Sequence, residues 1–262
     1  MPRALITLTT DFGLGSPYIA EMKGVLLSIN PELNLVDITH AIEPQNIRQG
    51  ALVLAQATRR FPPESIHVAV VDPGVGTSRK LVYARWGEQQ YVCPNNGLLS
   101  RLALAGPATT MIELSEPQFW LPEVSKTFHG RDIMAPVAAR LSLGLDPASL
   151  GAPLEQLVML DWPEAMVSGR KITGKVESID SFGNLITDIS VDKLAGVPRG
   201  EETGVFCDEH ETRGIFETYA DQPAMTLIAL VGSGGKLELA IVGDSAALML
   251  GVRVGAPVTV EW

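Results

Sequence analysis

The most informative segment of the sequence is Ile66-His67-Val68-Ala69-Val70-Val71-Asp72-Pro73-Gly74-Val75-Gly76-Thr77-Ser78-Arg79. Its apolar run predicts a buried strand that ends at Asp72, and the Pro-Gly-Val-Gly turn after it breaks the extended chain. In open α/β sheets, ligands bind just beyond the carboxyl ends of the strands, which is where Asp72 lies. Arg79 could fold back over this turn as a counter-charge. A strand-ending aspartate that only caps a tight turn is the alternative, and this stretch alone leaves both open.

The N-terminal part of the chain repeats this pattern, since a predicted strand over 4–10 runs into Asp11-Phe12-Gly13. Apolar spacing predicts helices over 18–29, 44–60, 98–104 and 133–143, and strands over 34–38, 80–86, 90–93 and 110–114. The alternation of strands and helices up to about residue 145 predicts an α/β domain over residues 1–160. Its sheet is expected to be mostly parallel and covered on both faces.

The pattern changes after this domain. Residues 146–169 are rich in Pro, Gly and small side chains and are predicted to be a linker. Strands are then predicted over 171–179, 184–189, 203–207, 226–231, 236–241 and 257–262, with one helix over 244–249. This indicates a smaller all-β, barrel-like domain over 170–262. Two domains of different class favour a ligand site between them.

Composition excludes several classes of protein. Of the 262 residues, 46% are hydrophobic and 19% are charged, as in folded globular proteins. The net charge of −10 argues against nucleic acid or an anionic membrane as the main partner. Two distant cysteines, Cys93 and Cys207, fit a reducing compartment, and no signal-like segment or membrane-length apolar run occurs. A cytoplasmic protein without a metal site is therefore predicted.

His129 is the histidine with the most suggestive neighbours, because Gly130, Arg131 and Asp132 follow it at the predicted start of a helix. The alternative is a helix-capping region with an Arg–Asp pair on the surface. His40 and His67 are predicted to be structural. His210 lies in an acidic stretch and is predicted to be solvated.

Two turns of the second domain carry polar groups, namely Asp180-Ser181-Phe182-Gly183-Asn184 and Gly232-Ser233-Gly234-Gly235. Plain hairpin turns account for both. The functional alternative is a ligand clamp in which Phe182 stacks on a ring and Asn184 hydrogen-bonds an amide-like edge.

Together these segments resemble the adenosine-forming S-adenosyl-L-methionine hydrolase family, which is related to the fluorinase and chlorinase enzymes. The resemblance covers nearly the whole chain and rests on five motifs in order. They are Thr9-Thr10-Asp11-Phe12-Gly13, Val71 to Gly76 with Arg79, Phe128-His129-Gly130-Arg131-Asp132, Ile179 to Asn184, and Gly232-Ser233 with Leu237-Glu238-Leu239-Ala240.

The resemblance implies that Asp72, Arg79 and His129 handle the attacking water. It implies that Phe128, Gly130 and Phe182 contact the substrate and that Asp11 contacts the ribose hydroxyls. Asn184 and the backbone around Val242 and Gly243 are expected to contact adenine. Asp180 and Ser233 are expected at the methionine end, with Glu238 as a further candidate there. It also implies a homotrimer whose sites lie between the first domain of one subunit and the β domain of its neighbour. S-adenosyl-L-methionine is then the substrate, and neither cofactor nor metal is expected.

The resemblance also favours water over halide. The halogenases have Tyr where this chain has Asp72, and the fluorinase has Ser where it has Gly130. A carboxylate repels halide but accepts a hydrogen bond from water. The predicted reaction is therefore attack of water or hydroxide at ribose C5′, which yields adenosine and L-methionine.

The expected role of Asp72 is mainly to position this water, since a carboxylate paired with arginine is a poor base, and His129 is the alternative proton acceptor. A 5′-halogenase and a non-catalytic adenosine-binding protein remain the competing functions.

Overall fold

The computed structural model describes residues 4–262 and divides the chain into two compact units, one ending at Asp161 and the other spanning Trp162–Trp262. Each unit contains its own cluster of buried apolar side chains. No helix within the described residues has the length and apolar character needed to cross a bilayer.

The first unit is built on a six-stranded sheet. Its strands are β1 (Leu5–Thr10), β2 (Asn34–Thr39), β3 (Ile66–Val70), β4 (Leu81–Trp86), β5 (Gln89–Pro94) and β6 (Thr110–Glu113), in the spatial order β2-β1-β3-β5-β4-β6. β1 pairs in parallel with β2 and β3, and β3 with β5, whereas β4 is antiparallel to β5 and β6. The predicted α/β class is confirmed, but the sheet is mixed.

The antiparallel part of the sheet has a local cause. β4 and β5 are joined by the two-residue turn Gly87-Glu88, and so short a connection permits only an antiparallel pair. The prediction of a mostly parallel sheet therefore holds for the half that contains β1, β2 and β3.

Helices cover both faces of this sheet. They are α1 (Tyr18–Ile29), α2 (Ile47–Ala57), α3 (Ser100–Ala105) and α4 (Ala135–Leu141). β3 is buried throughout, because Val68 and Val70 pack with Met22 of α1 on one face, while Ala69 packs with Leu54 of α2 on the other. A fully buried central strand explains its continuous apolar sequence.

The helix predicted over 133–143 begins differently in the structure. A π-helical turn spans Gly130–Met134, and the regular α-helix follows from Ala135 to Leu141. In an α-helix the N–H of residue 136 would donate to the C=O of Asp132, but Pro136 has no N–H and cannot do so. That carbonyl accepts a hydrogen bond from Leu121 N–H instead, at 2.8 Å.

The second unit is an antiparallel sheet of eight strands with one short helix, α5 (Ala246–Leu250). The strands are β7 (Met166–Ser168), β8 (Lys171–Ile179), β9 (Leu185–Ser190), β10 (Gly204–Cys207), β11 (His210–Arg213), β12 (Leu227–Val231), β13 (Lys236–Ile241) and β14 (Pro257–Glu261). Their order is β11-β10-β14-β8-β9-β13-β12, with β7 beside β8. Thr212 Oγ1 of β11 donates to Leu227 O of β12 at 2.7 Å, so the two end strands meet and nearly close a barrel. The predicted all-β class is confirmed.

Two stretches of this unit differ from the prediction. β7 falls inside the predicted linker. β11 includes His210, which is half-buried and has Nε2 3.0 Å from Leu250 O, so the expectation of a solvated histidine is wrong.

Candidate active site

The turn after β3 brings Asp72 against a second loop of the first unit. Asn96 Nδ2 donates to Val71 O at 2.8 Å, and Asp72 O accepts from Val75 N–H at 3.2 Å. Gly76 has φ +78°, and a Cβ there would collide with Lys126 O. The turn therefore packs backbone to backbone against the segment that leads into His129, which only glycine permits.

Asp72, Arg79 and His129 form one hydrogen-bonded chain. Arg79 Nε donates to both oxygens of Asp72 at 2.7 and 2.8 Å, and Nη2 lies 2.5 Å from Oδ2. The same Nη2 lies 2.9 Å from His129 Nδ1. The side chains of Asp72 and Arg79 are 4% and 10% exposed, so solvent screens this ion pair little. Arg79 folds back over the turn as a counter-charge, which the sequence allows but leaves open.

The contact with Arg79 fixes the tautomer of His129. A guanidinium donates hydrogen bonds and cannot accept them, so Nδ1 must be the acceptor and the ring proton of the neutral imidazole lies on Nε2. Partial burial and the charge of Arg79 both lower the pKa of His129. His129 is therefore a neutral ring that offers Nε2–H as a donor.

Phe128 forms an aromatic wall beside this chain. Its ring packs edge to face with Phe12 and Tyr18, with centroids 5.6 and 5.3 Å away. The Arg131 guanidinium carbon lies 4.9 Å from the ring centroid, and Arg131 Nη1 is 2.6 Å from Glu21 Oε2 of α1. The wall is thus held from several sides.

The Arg131–Asp132 pair has a buried carboxylate and a half-buried guanidinium. Asp132 is 1% exposed, accepts from Arg131 Nε at 2.6 Å and accepts from Ser125 N–H at 2.8 Å. These hydrogen bonds join the loop before Phe128 to the π-helical turn after it. The alternative of a surface ion pair is therefore wrong for Asp132.

A cavity of about 310 Å³ opens on these groups. Asp11 lies on its wall and accepts from Gln45 N–H at 2.8 Å. A Cβ on Gly130 would lie 3.2 Å from the two methyl carbons of Val70 and 3.4 Å from Met22 Sδ. Gly130 therefore lets the start of the π-helical turn pack closely against β3 and α1. The predicted residues that line the cavity are Asp11, Asp72, Phe128, His129 and Gly130, while Arg79 holds Asp72 and His129.

In the second unit, Asp180 organises the turn before β9. Its Oδ1 accepts from the N–H groups of Phe182 and Asn184, each at 2.9 Å. Its Oδ2 accepts from Asn184 Nδ2 at 2.9 Å, and that nitrogen also lies 3.5 Å from Tyr219 Oη. Both Asn184 Nδ2 hydrogens thus have acceptors within the protein.

Glu238 of β13 has a different environment. Its side chain folds over Gly232, where a Cβ would collide with the carboxylate. Tyr219 Oη donates to Oε2 at 3.3 Å, and Glu238 is 7% exposed. Burial raises the pKa of Glu238, and the nearby charge of Asp180 adds to this effect.

These groups line a cavity of about 840 Å³ within the second unit. Six of the predicted residues line it, namely Asp180, Phe182, Asn184, Ser233, Glu238 and Gly243. Val242 instead uses its N–H and C=O in backbone hydrogen bonds to Thr226 and Met225. Tyr219 lines the cavity and was not predicted, because the sequence Thr218-Tyr219-Ala220-Asp221 indicates only a capped turn, which it also forms.

The remaining candidate groups are structural. Thr7 Oγ1 lies 2.8 Å from His67 Nδ1, and Thr10 Oγ1 lies 2.9 Å from His40 Nδ1; both rings are buried, as predicted. Within residues 4–262, no three His, Cys, Asp or Glu side chains form a cluster suited to a metal ion.

Two family models match in tandem. The N-terminal domain of SAM hydroxide adenosyltransferase matches residues 6–151 and its C-terminal domain matches residues 174–259. The chain belongs to this family. It is 38% identical over 257 residues to the (R)-S-adenosyl-L-methionine hydrolase of Salinispora tropica, covering 97% of this chain and 96% of that protein.

A fluorinase matches this chain at lower sequence identity than the hydrolase does. The fluorinase of Actinopolyspora mzabensis is 28% identical over 290 residues, covering 98% and 97% of the two chains. Among solved structures, an uncharacterized conserved protein from Thermotoga maritima superimposes with a TM-score of 0.93 at 34% identity, covering 98% of this chain and all of that one. The family's fold therefore extends over almost the whole chain.

Proposed function

We propose that this protein hydrolyses S-adenosyl-L-methionine to adenosine and L-methionine. The observation that carries the proposal is that Arg79 holds Asp72 and His129 together, and that these two line the smaller cavity as an acceptor carboxylate beside a neutral donor imidazole. The 38% identity to a hydrolase against 28% to a fluorinase supports the same activity.

The proposed reaction is a nucleophilic substitution at ribose C5′. One water hydrogen donates to Asp72, one oxygen lone pair accepts from His129 Nε2–H, and the other lone pair attacks the carbon in line with the C5′–sulfur bond. The bonding electrons pass to the sulfonium sulfur, so methionine leaves as a neutral thioether. The oxygen keeps one proton as the 5′-hydroxyl of adenosine, and the other proton passes to Asp72 or to solvent. Holding the water in line with the C5′–sulfur bond lowers the activation barrier by on the order of several kcal/mol, because the reactants are already oriented before the reaction.

In this mechanism Arg79 positions both partners of the water. It keeps the Asp72 carboxylate oriented through paired hydrogen bonds, and it keeps His129 in the Nε2–H form. His129 therefore acts as a donor to the water in the ground state rather than as its base, which refines the expectation from sequence.

The nearest rival is a halogenase that uses chloride or fluoride at the same carbon. Asp72 disfavours it, because a buried carboxylate beside the nucleophile repels an anion. The test is incubation with S-adenosyl-L-methionine, with and without each halide salt, followed by chromatography. We expect adenosine and methionine under all conditions. A 5′-halo-5′-deoxyadenosine product would establish the rival, and intact substrate with calorimetric binding of adenosine would indicate a binding protein.

We propose further that the protein acts on this small molecule as a homotrimer, with active sites that combine the first domain of one subunit with the β domain of its neighbour. The roles of Asp11 at the ribose, Phe182 and Asn184 at adenine, and Ser233 at the methionine end belong to this proposal. Nucleic acid, membrane, cofactor and metal take no part in it. The buried free thiols of Cys93 and Cys207 support a cytoplasmic location.

Subunit mixing tests this assembly. Asp72→Asn and Asn184→Ala each inactivate a different domain, so an equal mixture of the two variants, refolded together, should regain about one quarter of wild-type activity by random pairing. No recovery from the mixture, with trimers verified by light scattering, would contradict shared sites.

A further inference from the structure

Two buried histidines of the first unit bond to threonines of the same strand, β1, but at different places along it. His67 Nδ1 lies 2.8 Å from Thr7 Oγ1, inside the strand, and His40 Nδ1 lies 2.9 Å from Thr10 Oγ1. Thr10 is the last residue of β1, and Asp11 on the wall of the smaller cavity follows it directly. The pair at His40 therefore adjoins the candidate active site, whereas the pair at His67 does not.

The hydroxyl of Thr10 links His40 to the backbone that follows Asp11. Phe12 N–H donates to Thr10 Oγ1 at 3.3 Å, so the hydroxyl hydrogen is left to donate to His40 Nδ1. His40 Nε2 lies 3.1 Å from Asp37 Oδ1, off the direction of an ideal hydrogen bond. Because an ionised carboxylate can only accept, the proton of the neutral ring belongs on Nε2, and Nδ1 is the acceptor. His40 thus orients the hydroxyl that receives the Phe12 N–H.

The loop between β2 and α2 also binds residues 11–13 through its backbone. His40 O accepts from Gly13 N–H at 2.8 Å, and Gln45 N–H donates to Asp11 Oδ2 at 2.8 Å. One side-chain contact and two main-chain contacts therefore join this loop to the turn that carries Asp11.

Gln45 has a left-handed backbone with φ +66°, which is unfavourable for a residue with a side chain. Its neighbours impose this conformation, because Asn46 N–H donates to Glu43 O at 2.9 Å and Ile47 N–H donates to Gln45 O at 3.0 Å. The Asn46 side chain also caps α2. The N–H that binds Asp11 is thus fixed by the start of α2 as well as by its acceptor.

We propose that His40 and Gln45 are positioning residues for the carboxylate of Asp11. This inference rests on the proposed function, in which Asp11 binds the ribose hydroxyls. The Gln45 N–H restrains rotation of the carboxylate, and His40 holds the residues on either side of Asp11 through Thr10 and Gly13. A carboxylate that is held before the ligand arrives loses little rotamer freedom on binding, so it binds the hydroxyls more tightly.

Calorimetry with adenosine and 2′,3′-dideoxyadenosine tests the inference, because the two nucleosides differ only in the ribose hydroxyls. The measured quantity is the ratio of their Kd values. The wild-type protein should prefer adenosine on the order of 10-fold or more, since hydrogen bonds to a charged group are strong, and Asp11→Ala should bring the ratio near one. His40→Leu should lower the ratio on the order of 3-fold or more. His40→Asn, which can keep a polar atom near the position of Nδ1, should lower it less.

His67→Leu is the matched control, because it removes the same kind of histidine–threonine pair from the same strand. Both His40→Leu and His67→Leu should lower the melting temperature, since each leaves a buried threonine hydroxyl without its partner. Only His40→Leu should change the ratio of the two Kd values. A purely structural role of His40 would lower the melting temperature and leave the ratio unchanged.

Two variants of Gln45 separate its backbone N–H from its side chain. Glycine adopts a positive φ readily and keeps the N–H, so Gln45→Gly should keep the wild-type ratio. Proline has no N–H and cannot adopt φ +66°, so Gln45→Pro should lower the ratio as His40→Leu does. Circular dichroism checks that each variant is folded, and the His40 variants test the inference independently of this pair.

Three results would overturn the inference. They are an unchanged ratio in His40→Leu, an equal decrease of the ratio in His67→Leu, and a decreased ratio in Gln45→Gly, which would assign the effect to the Gln45 side chain. A wild-type ratio near one would instead refute the ribose role of Asp11 itself. Adenosine and methionine production by the wild-type protein tests the proposed function separately, so these failures are distinguishable.

Discussion

Arg79 Nη2 lies 2.9 Å from His129 Nδ1. This one contact determines which ring nitrogen carries the proton, and hence whether the imidazole gives or takes a hydrogen bond at the cavity. An arginine that also binds Asp72 therefore orients both side chains proposed to hold the water.

Removing the charge of Arg79 should change the pH dependence as well as the rate. The Arg79 charge lowers the pKa of His129, so Arg79→Gln should raise that pKa and move the acidic limb of kcat/KM to higher pH. We expect kcat to fall on the order of 10²-fold, since the water loses both oriented partners. Arg85→Gln, which removes an arginine paired with Glu64 in the same unit, is the control. An unshifted acidic limb would remove His129 from the titration.

Neutralising Asp72 should abolish turnover without loss of nucleoside binding. Asp72→Asn keeps the shape of the side chain but weakens both the acceptor for water and the pair with Arg79. We expect a decrease of at least about 10²-fold in kcat, measured by chromatography of adenosine, and a nearly unchanged Kd for adenosine. Asp161→Asn, at an exposed position, should behave as wild type. Full turnover by Asp72→Asn would exclude the mechanism.

The close contact at Gly130 predicts a local stability effect. Gly130→Ala places a methyl group 3.2 Å from the Val70 methyls, and the sheet must shift to admit it, at a cost of about 1–2 kcal/mol. Gly24→Ala in α1 is the matched control, because its Cβ meets nothing within 4 Å and alanine favours a helix by up to about 1 kcal/mol. Urea unfolding should give opposite signs for the two variants, and equal signs would contradict the packing argument.

His67 should make the protein sensitive to mild acid. Burial lowers its pKa from 6.5 to about 4. Between these values the unfolded chain takes up a proton that the folded protein refuses, so stability falls as the pH drops below 6.5. The expected loss at pH 5 is about 2 kcal/mol relative to pH 7. His67→Gln should be less stable at pH 7 but show a smaller loss between pH 7 and pH 5, and an equally steep loss would assign the effect to other groups.

The elements that position Asp72 could be predicted because their signal is local. β3 has an unbroken apolar sequence followed by Asp-Pro-Gly, and burial of a central strand requires that sequence. The hydrogen bonds of Arg79 to Asp72, seven residues earlier, also lie within reach of a local argument. The contact between Arg79 and His129 spans fifty residues, and here the resemblance to a family supplied what periodicity could not.

Other features could not be predicted from the sequence, and the reasons are physical. β11 contains one buried residue, Thr212, so its charged sequence carries no strand pattern. Tyr219 reaches the cavity through the position of its turn, and no local pattern indicates the partner of its hydroxyl. The hydrogen bonds that Asp180 accepts within its own turn depend on the turn geometry, which no local sequence pattern specifies.

The wide helical turn over Gly130–Met134 has a consequence for chain length. It holds one residue more than an α-helical ring would, directly after His129. Deleting any one of these residues would close the ring and rotate the preceding segment by about 100° around the helix axis, turning the imidazole away from its guanidinium neighbour. Relatives that share this chemistry should therefore keep the residue count of this turn unchanged.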